Sequence, residues 1–327
     1  MLLLTAGLMV TRRDPSRAYW ITAAGGDVGA YGLYRMQPDG SEARRITQFS
    51  AITGHAWSPD GHSLIVAGSV GSSGSHLYRV GVDGTLVEQI VLVGIDHFYP
   101  AFSPDGQQIT YTTRGLTMDF QIHGLNLKTG LIAPLIESSG GATMGAWSPD
   151  GTGLAYTSQR TDYGADIYLR DLQNGPTHIL TSANGADASP EFSPDGQWVA
   201  FMSDRTGSFN IYVMRVDGSE AHSIGGRLND ERWPIWTPDG EWVIFSSIGG
   251  DGTPTLYQMR PDGTDLRRLS PPNLPLAAAK CSPLIDQAWH PVGLLLLVGS
   301  TWGVGALSLV SGHCPGRNPA RRRRSPA

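Results

Sequence analysis

Cysteine is almost missing from this chain, with only Cys281 and Cys314 in 327 residues, and neither sits in a Cys-x-x-Cys or Cys/His spacing suited to zinc. That excludes a disulfide-built scaffold and leaves room for one bridge at most, formed only if the chain is exported. A Gly-x-Ser-x-Gly nucleophile elbow is also missing, which excludes an α/β-hydrolase active site. Charge is sparse: 16% of residues are Asp, Glu, Lys or Arg, the formal net charge is −5, and the body carries no basic stripe interleaved with aromatics. Nucleic acid is therefore not expected as a partner. Between Gln287 and Cys314 charged residues vanish altogether, and Leu294 opens an apolar run to Val310 that is long enough, at about 20 residues, to cross a bilayer.

What the chain has in abundance is glycine and proline, 42 and 22 residues, and they recur at fixed places. The turn prolines Pro59, Pro104, Pro149, Pro194 and Pro238 lie in WSPDG, FSPDG, WSPDG, FSPDG and WTPDG, at successive spacings of 45, 45, 45 and 44 residues. Proline presets φ for the first central position of such a turn, and glycine accepts the positive φ that follows. About 19 residues after each proline stands an aromatic or histidine: Tyr78, His123, Tyr168, Tyr212 and Tyr257, with Tyr34 in the same frame after Pro15. A second turn follows, as in Asp83-Gly84, Asp217-Gly218 and Asp262-Gly263. In the clearest copy, Val199 to Met202 and Asn210 to Met214 read as buried strands on either side of the polar Ser203-Asp204-Arg205.

A period in the forties with four short strands per repeat predicts an all-β fold, a β-propeller of four-stranded antiparallel blades. The large rings Trp57, Phe102, Trp147, Phe192, Trp236 and Trp289 are expected to fill the wedge between blades. Two outer copies are degenerate, around Pro15 and around Trp289-His290-Pro291, the latter 53 residues after Pro238. Counting both gives seven blades; the alternative is six blades followed by a transmembrane helix at 291–310.

The paired motifs, aromatic-Ser-Pro-Asp-Gly and Ile/Leu-Tyr followed by Asp-Gly, with Ser203-Asp204-Arg205 between them, resemble the TolB-type propeller repeat. The resemblance runs from about Pro15 to Gly312. It implies a rigid ring, export to the bacterial periplasm or envelope, and a protein or peptide partner rather than a reaction. Similar repeats occur in the propellers of prolyl-oligopeptidase-type peptidases and in oligogalacturonate-lyase-like proteins, which supplies a second reading: a metal-assisted carbohydrate lyase or hydrolase. Too few residues follow Pro291 for a peptidase domain.

The expected organisation is an apolar strand or remnant signal segment at 1–10 (MLLLTAGLMV), the propeller at 11–312, and a basic tail at 313–327. The tail, with Arg321-Arg322-Arg323-Arg324 among glycine and proline, is expected to be disordered. It and 291–310 are the two candidate contacts with a membrane.

Candidate site residues come from the segments that enter each aromatic-Ser-Pro strand, because these lead from the rim to one mouth of the channel. They are His55, Asp96, His97, Tyr99, Asp187, Asp230, Arg232 and Asp286. Carboxylates converging there would raise one another's pKa and favour a cation or a basic segment. The plainer reading is that aspartate is common in turns, and these four do not share one offset from the aromatic. His55 and His97 on adjacent blades are fewer ligands than a metal site usually needs. No cofactor, metal or catalytic residue is assigned, and the aspartates of the Ser-Pro-Asp-Gly turns are read as turn-formers.

Overall fold

The Ser-Pro-Asp-Gly segments fold as tight turns whose side chains hold them shut. In the copy at 193–196 the Ser193 hydroxyl donates to Asp195 Oδ1 and accepts from Trp198 N at 2.9 Å, while Asp195 Oδ1 also accepts from Gln197 N at 3.0 Å. Gly196 has φ +70°, open to glycine at little cost. Those bonds favour the ionised carboxylate and hold Asp60, Asp105, Asp150 and Asp195 below the usual range. Each motif is thus a self-contained corner between two strands.

The computed structural model describes residues 19–284 except 27–30, 72–73, 86, 91–95, 115–118, 137, 139, 161–163, 174 and 183. The chain divides into two compact units, 1–287 and 288–327, and every described residue falls in the first. β1 (Ile21–Gly25), β2 (Gly32–Met36) and β3 (Arg44–Gln48) open blade 1. Blade 2 is β4 (Ala51–Trp57), β5 (Ser63–Ser69), β6 (His76–Gly81) and β7 (Val87–Ile90). Blade 3 is β8 (His97–Phe102), β9 (Gln108–Arg114), β10 (Phe120–Asn126) and β11 (Ile132–Ile136). Blade 4 is β12 (Thr143–Trp147), β13 (Gly153–Arg160), β14 (Gly164–Asp171) and β15 (Thr177–Ile179). Blade 5 comprises β16 (Asp187–Phe192), β17 (Trp198–Ser203), β18 (Asn210–Arg215) and β19 (His222–Ser223). Blade 6 comprises β20 (Glu231–Trp236), β21 (Val243–Ile248), β22 (Pro254–Met259) and β23 (Arg267–Arg268), and β24 (Leu276–Cys281) follows it.

Among the described residues there are six sheets, not the seven expected. β24 runs antiparallel to β1, with Ile21 opposite Cys281 and Gly25 opposite Leu276, so blade 1 has the order β24-β1-β2-β3. The inner strands β4, β8, β12, β16, β20 and β24 touch in one closed cycle. The seventh copy was misplaced because Trp289-His290-Pro291 keeps an aromatic and a proline, whereas the segment that closes the ring keeps only Ser282-Pro283, at the regular 45 residues after Pro238. Cys281 stands there in place of the aromatic, and the stretch 271–283, which reads as a loop insertion, contains the closing strand. Among the described residues no helix is long and apolar enough to cross a membrane. Residues 1–10, Asp286, Trp289, 291–310, Cys314 and Arg321–Arg324 lie outside the described set.

Packing between blades follows the wedge argument. Leu33 and Ile46 of blade 1 cluster with Trp57, Leu64, Val66 and Tyr78 of blade 2, and the next interface buries Ile65, Ala67 and Leu77 against Ile109 and Tyr111. Within blades 3 to 6 the second and third strands pair aromatic residues or histidine directly across the ladder: Tyr111 with His123, Tyr156 with Tyr168, Phe201 with Tyr212 and Phe245 with Tyr257, at ring separations of 5.6 to 6.1 Å.

The indole donors are matched from blade to blade. Trp57 Nε1 donates to Thr22 Oγ1 at 2.9 Å and Trp147 Nε1 to Thr110 Oγ1 at 3.1 Å, each threonine lying on the second strand of the preceding blade. Where the ring is Phe102 or Phe192, the corresponding residue is the apolar Ile65 or Ala155. Trp236 breaks the rule, because its counterpart is Ala200 and its indole N–H has no partner. Substituting Ala200→Thr is expected to stabilise the protein by about 1 kcal/mol in urea unfolding, the usual net value of one buried hydrogen bond. No gain, with Trp147→Phe and Trp236→Phe equally costly, would show that the pairing has no energetic content.

Candidate functional site: the channel and its mouth

Every inner strand carries a register shift against its neighbour, at Ile52/Gly54, Phe98/Ala101, Thr143/Ala146, Ala188/Glu191 and Arg232/Ile235, with the sixth on β1 opposite β24 between Thr22 and Ala24. In five blades the bulged residue is left-handed without being glycine: Tyr99, Met144, Ser189, Trp233 and Ala278, with φ between 48° and 58°. Each such conformation costs roughly 1 kcal/mol. The bulge N–H is caught across the blade boundary, Ser189 N by Thr157 Oγ1 at 3.1 Å and Ala278 N by Ser246 Oγ at 3.0 Å. All five stand at one level of a central cavity of about 680 Å³. Pro100, Pro190 and Pro234 follow three of them and present no backbone donor at those positions.

The sequence-derived candidates divide by position. His55 and Tyr99 belong to the cavity lining, whereas Asp96, His97, Asp187, Asp230 and Arg232 lie outside it, at the starts of the inner strands. The structure gives each described aspartate of the set an arginine of its own rather than leaving a cluster of free carboxylates. Asp96 pairs with Arg114 at 2.7 Å, Asp230 with Arg232 at 2.9 Å, and the buried Asp187 takes Arg205 Nη2 on both oxygens at 2.9 Å. Here Ser203-Asp204-Arg205 finds its purpose: Asp204 Oδ1 accepts from Ala186 N at 2.6 Å, Ser203 Oγ accepts from Arg205 Nε at 2.8 Å, and Arg205 grips Asp187. His97 is held by Ser75, whose carbonyl lies 3.0 Å from His97 N and 3.2 Å from Nδ1. Glu231, which sequence reasoning did not single out, is the blade 6 counterpart of Asp187, buried and accepting from Ile211, Gly226 and Leu228 N–H groups. Among the described residues no group of three or more His, Cys, Asp or Glu is arranged to hold a metal ion.

The His55 side chain is packed into the wall of the cavity it lines, 2% exposed. Thr22 Oγ1 accepts the Trp57 indole and lies 3.3 Å from the Lys280 carbonyl as donor, so its remaining lone pair faces His55 Nε2 at 2.9 Å. That network assigns the proton to Nε2 and leaves Nδ1 bare and buried without a partner. Burial first, and the Lys280 ammonium second, push the His55 pKa down to about 3. A histidine depressed in the folded state contributes its full stability above the unfolded value near 6.5 and loses it as pH falls toward the folded value. Between pH 7 and pH 4.5 the protein is therefore expected to lose about 2–3 kcal/mol, and His55→Gln to lose much less over the same interval. The turn aspartates contribute their own loss only at lower pH, below the ordinary carboxylate value. Urea unfolding at the two pH values checks this; equal slopes in both proteins would refute it.

Two further lining residues are charged. Lys280 Nζ on β24 meets Glu191 Oε2 on β16 at 2.8 Å, with side chains 33% and 30% exposed. In the other four blades their position holds Ala56, Ala101, Ala146 and Ile235. The sequence signal for this pair was there, as a departure between copies of one repeat. It required the true sixth copy, at Lys280-Cys281-Ser282-Pro283, to be recognised first.

Comparison with known proteins agrees with the geometry. Residues 97–232 and 142–287 match the family model of the TolB beta propeller domain, together more than half of the chain. The chain belongs to that family. Among solved structures this TolB-type propeller is similar to TolB from Acinetobacter baumannii, with 21% identity and a TM-score of 0.71 over 82% of this chain and 67% of that one. It is also similar to a chain of a nidogen/laminin complex, with 12% identity and a TM-score of 0.65 over 82% of this chain and 99% of that one. At such identities both likenesses speak for the fold alone. Among curated proteins none matches the sequence.

Proposed function

We propose that this TolB-type propeller is a non-catalytic scaffold of the bacterial cell envelope that binds a protein or peptide at one mouth of its channel. The observation that carries the reading is the ring of five strained residues, which presents Tyr99, Met144 and Trp233 at one level beside the polar rim of Asp96, Asp230 and Arg232. Backbone strain repeated at one level of a rigid ring is expected where a surface is shaped for contact, and aromatic and methionine side chains are favoured at interface centres. The envelope location rests on the family resemblance and on the apolar residues Met1–Val10.

A photo-crosslinker placed at Trp233 tests the proposal in native envelopes. It should capture one defined protein, the same band should disappear when Asp96 and Asp230 are also changed to alanine, and a crosslinker at Asp150 on the opposite face should not capture it. Identical bands from both faces, or none, would reject the mouth as the binding surface.

A further inference from the structure

We propose that the channel binds a small zwitterion of the α-amino-acid type, with Glu191 taking its ammonium, Lys280 its carboxylate, and Trp233 lying against an apolar side chain. Three observations converge on three successive inner strands. Glu191 on β16 and Lys280 on β24 meet across the channel, bridging over the strand between them. That intervening strand, β20, carries Trp233 two residues before Ile235, the residue at the level of the charged pair. Phe98, Tyr99 and Met144 complete an apolar wall around the same cavity, whose volume of about 680 Å³ is within the range of small-molecule sites.

The pair is not explained by stability. Both side chains are about a third exposed, and an ion pair so wetted contributes little. Three of the other blades close the same position with alanine and one with isoleucine. Two opposite charges 2.8 Å apart in a lining that holds no other acidic residue, lysine or arginine form a site whose complement is a ligand with its own opposite charges equally close together. An α-amino acid has that spacing, and it can lie antiparallel to the pair so that each charge gains an opposite neighbour. A ligand with one charge would instead displace one partner and leave the other uncompensated. The scaffold reading is not needed for this inference, since the charged pair lies two residues further along the inner strands than Tyr99, Met144 and Trp233 and involves no macromolecular partner.

The test uses the purified full chain and calorimetric titration with L-phenylalanine, phenethylamine, which lacks the carboxylate, and 3-phenylpropionate, which lacks the ammonium. L-phenylalanine should bind saturably and at least about tenfold more tightly than either analogue, the equivalent of one charge-assisted hydrogen bond. Lys280→Met should erase the advantage over phenethylamine, Glu191→Gln the advantage over 3-phenylpropionate, and exchange of the two residues (E191K with K280E) should restore both. Because the analogue comparison in the unaltered protein needs no substitution, it decides even if a variant fails to fold. Equal affinity for all three compounds, or no saturable binding of L-phenylalanine, overturns the proposal. Loss of the amino-acid site with the Trp233 crosslink intact would leave the scaffold reading standing alone.

Discussion

A chain shortened to end at Pro275 is expected to lose cooperative unfolding and to elute as aggregate, whereas one ended at Leu284 should still unfold cooperatively. The difference between them is β24. That strand supplies the innermost ladder of blade 1 and buries Leu276 and Ala279 completely or nearly so. Beyond it, Ser282 Oγ accepts from Trp20 N at 2.8 Å and Ser282 N donates to Trp20 O at 2.7 Å. Removing β24 leaves β1 with an unpaired edge facing a breached channel and uncovers the flank of blade 6, where Ile235, Ile244 and Leu256 pack in the same cluster as Leu276. A net stability of about 5–15 kcal/mol cannot absorb the loss of a whole strand from a closed ring. Size-exclusion chromatography and urea unfolding read the outcome. Cooperative unfolding by the shorter chain would mean that the ring closes in some other way.

Arg205→Ala is expected to cost about 3–5 kcal/mol, the usual penalty for removing one member of a buried ion pair. Asp187 is 1% exposed and depends on Arg205 for both of its oxygens. Water cannot take the place of the guanidinium without opening the junction between blades 4 and 5. Changing Asp187→Asn in the Arg205→Ala background should recover part of the loss, because a neutral amide tolerates burial better than an orphaned carboxylate. A double-mutant cycle in urea separates this from simple loss of packing of the Arg205 stem over Tyr212, where the guanidinium lies 4.6 Å from the ring centre. Additive single substitutions would show that the pair is not coupled.

Much of this architecture was legible in the sequence because each turn is fixed by local chemistry. Ser193, Pro194, Asp195 and Gly196 define their corner through bonds among themselves and their immediate neighbours, so the motif survives wherever the corner is needed. The closing strand lacks that local signature. Leu276 to Cys281 is half alanine, and its partner is β1, more than 250 residues away, so nothing nearby marks it as a strand. The site was half legible for a similar reason. The segments leading to the channel were readable from strand order, but a bulge shifts the register and decides which side chain faces the cavity. Asp187 thereby turns into the wall, and Trp233 and Lys280 turn into the channel lining. The pairing of Asp96, Asp187 and Asp230 with arginines depends on geometry that spacing cannot show, since Arg114 and Arg205 lie 18 residues after their partners and Arg232 only two after Asp230.

The junction between Trp20 and Ser282 has one more implication. In blades 2 to 6 a Ser-Pro or Thr-Pro corner joins the first strand to the second through a continuous backbone, but in blade 1 the same corner is cut, and its two sides are held together by the Ser282 hydroxyl and backbone. The ring therefore has no structurally privileged beginning. A circularly permuted gene that bridges Leu284 to Tyr19 with a short linker and opens the chain at Asp150-Gly151 would encode the same six blades in a rotated order, with the seam moved from blade 1 to blade 4.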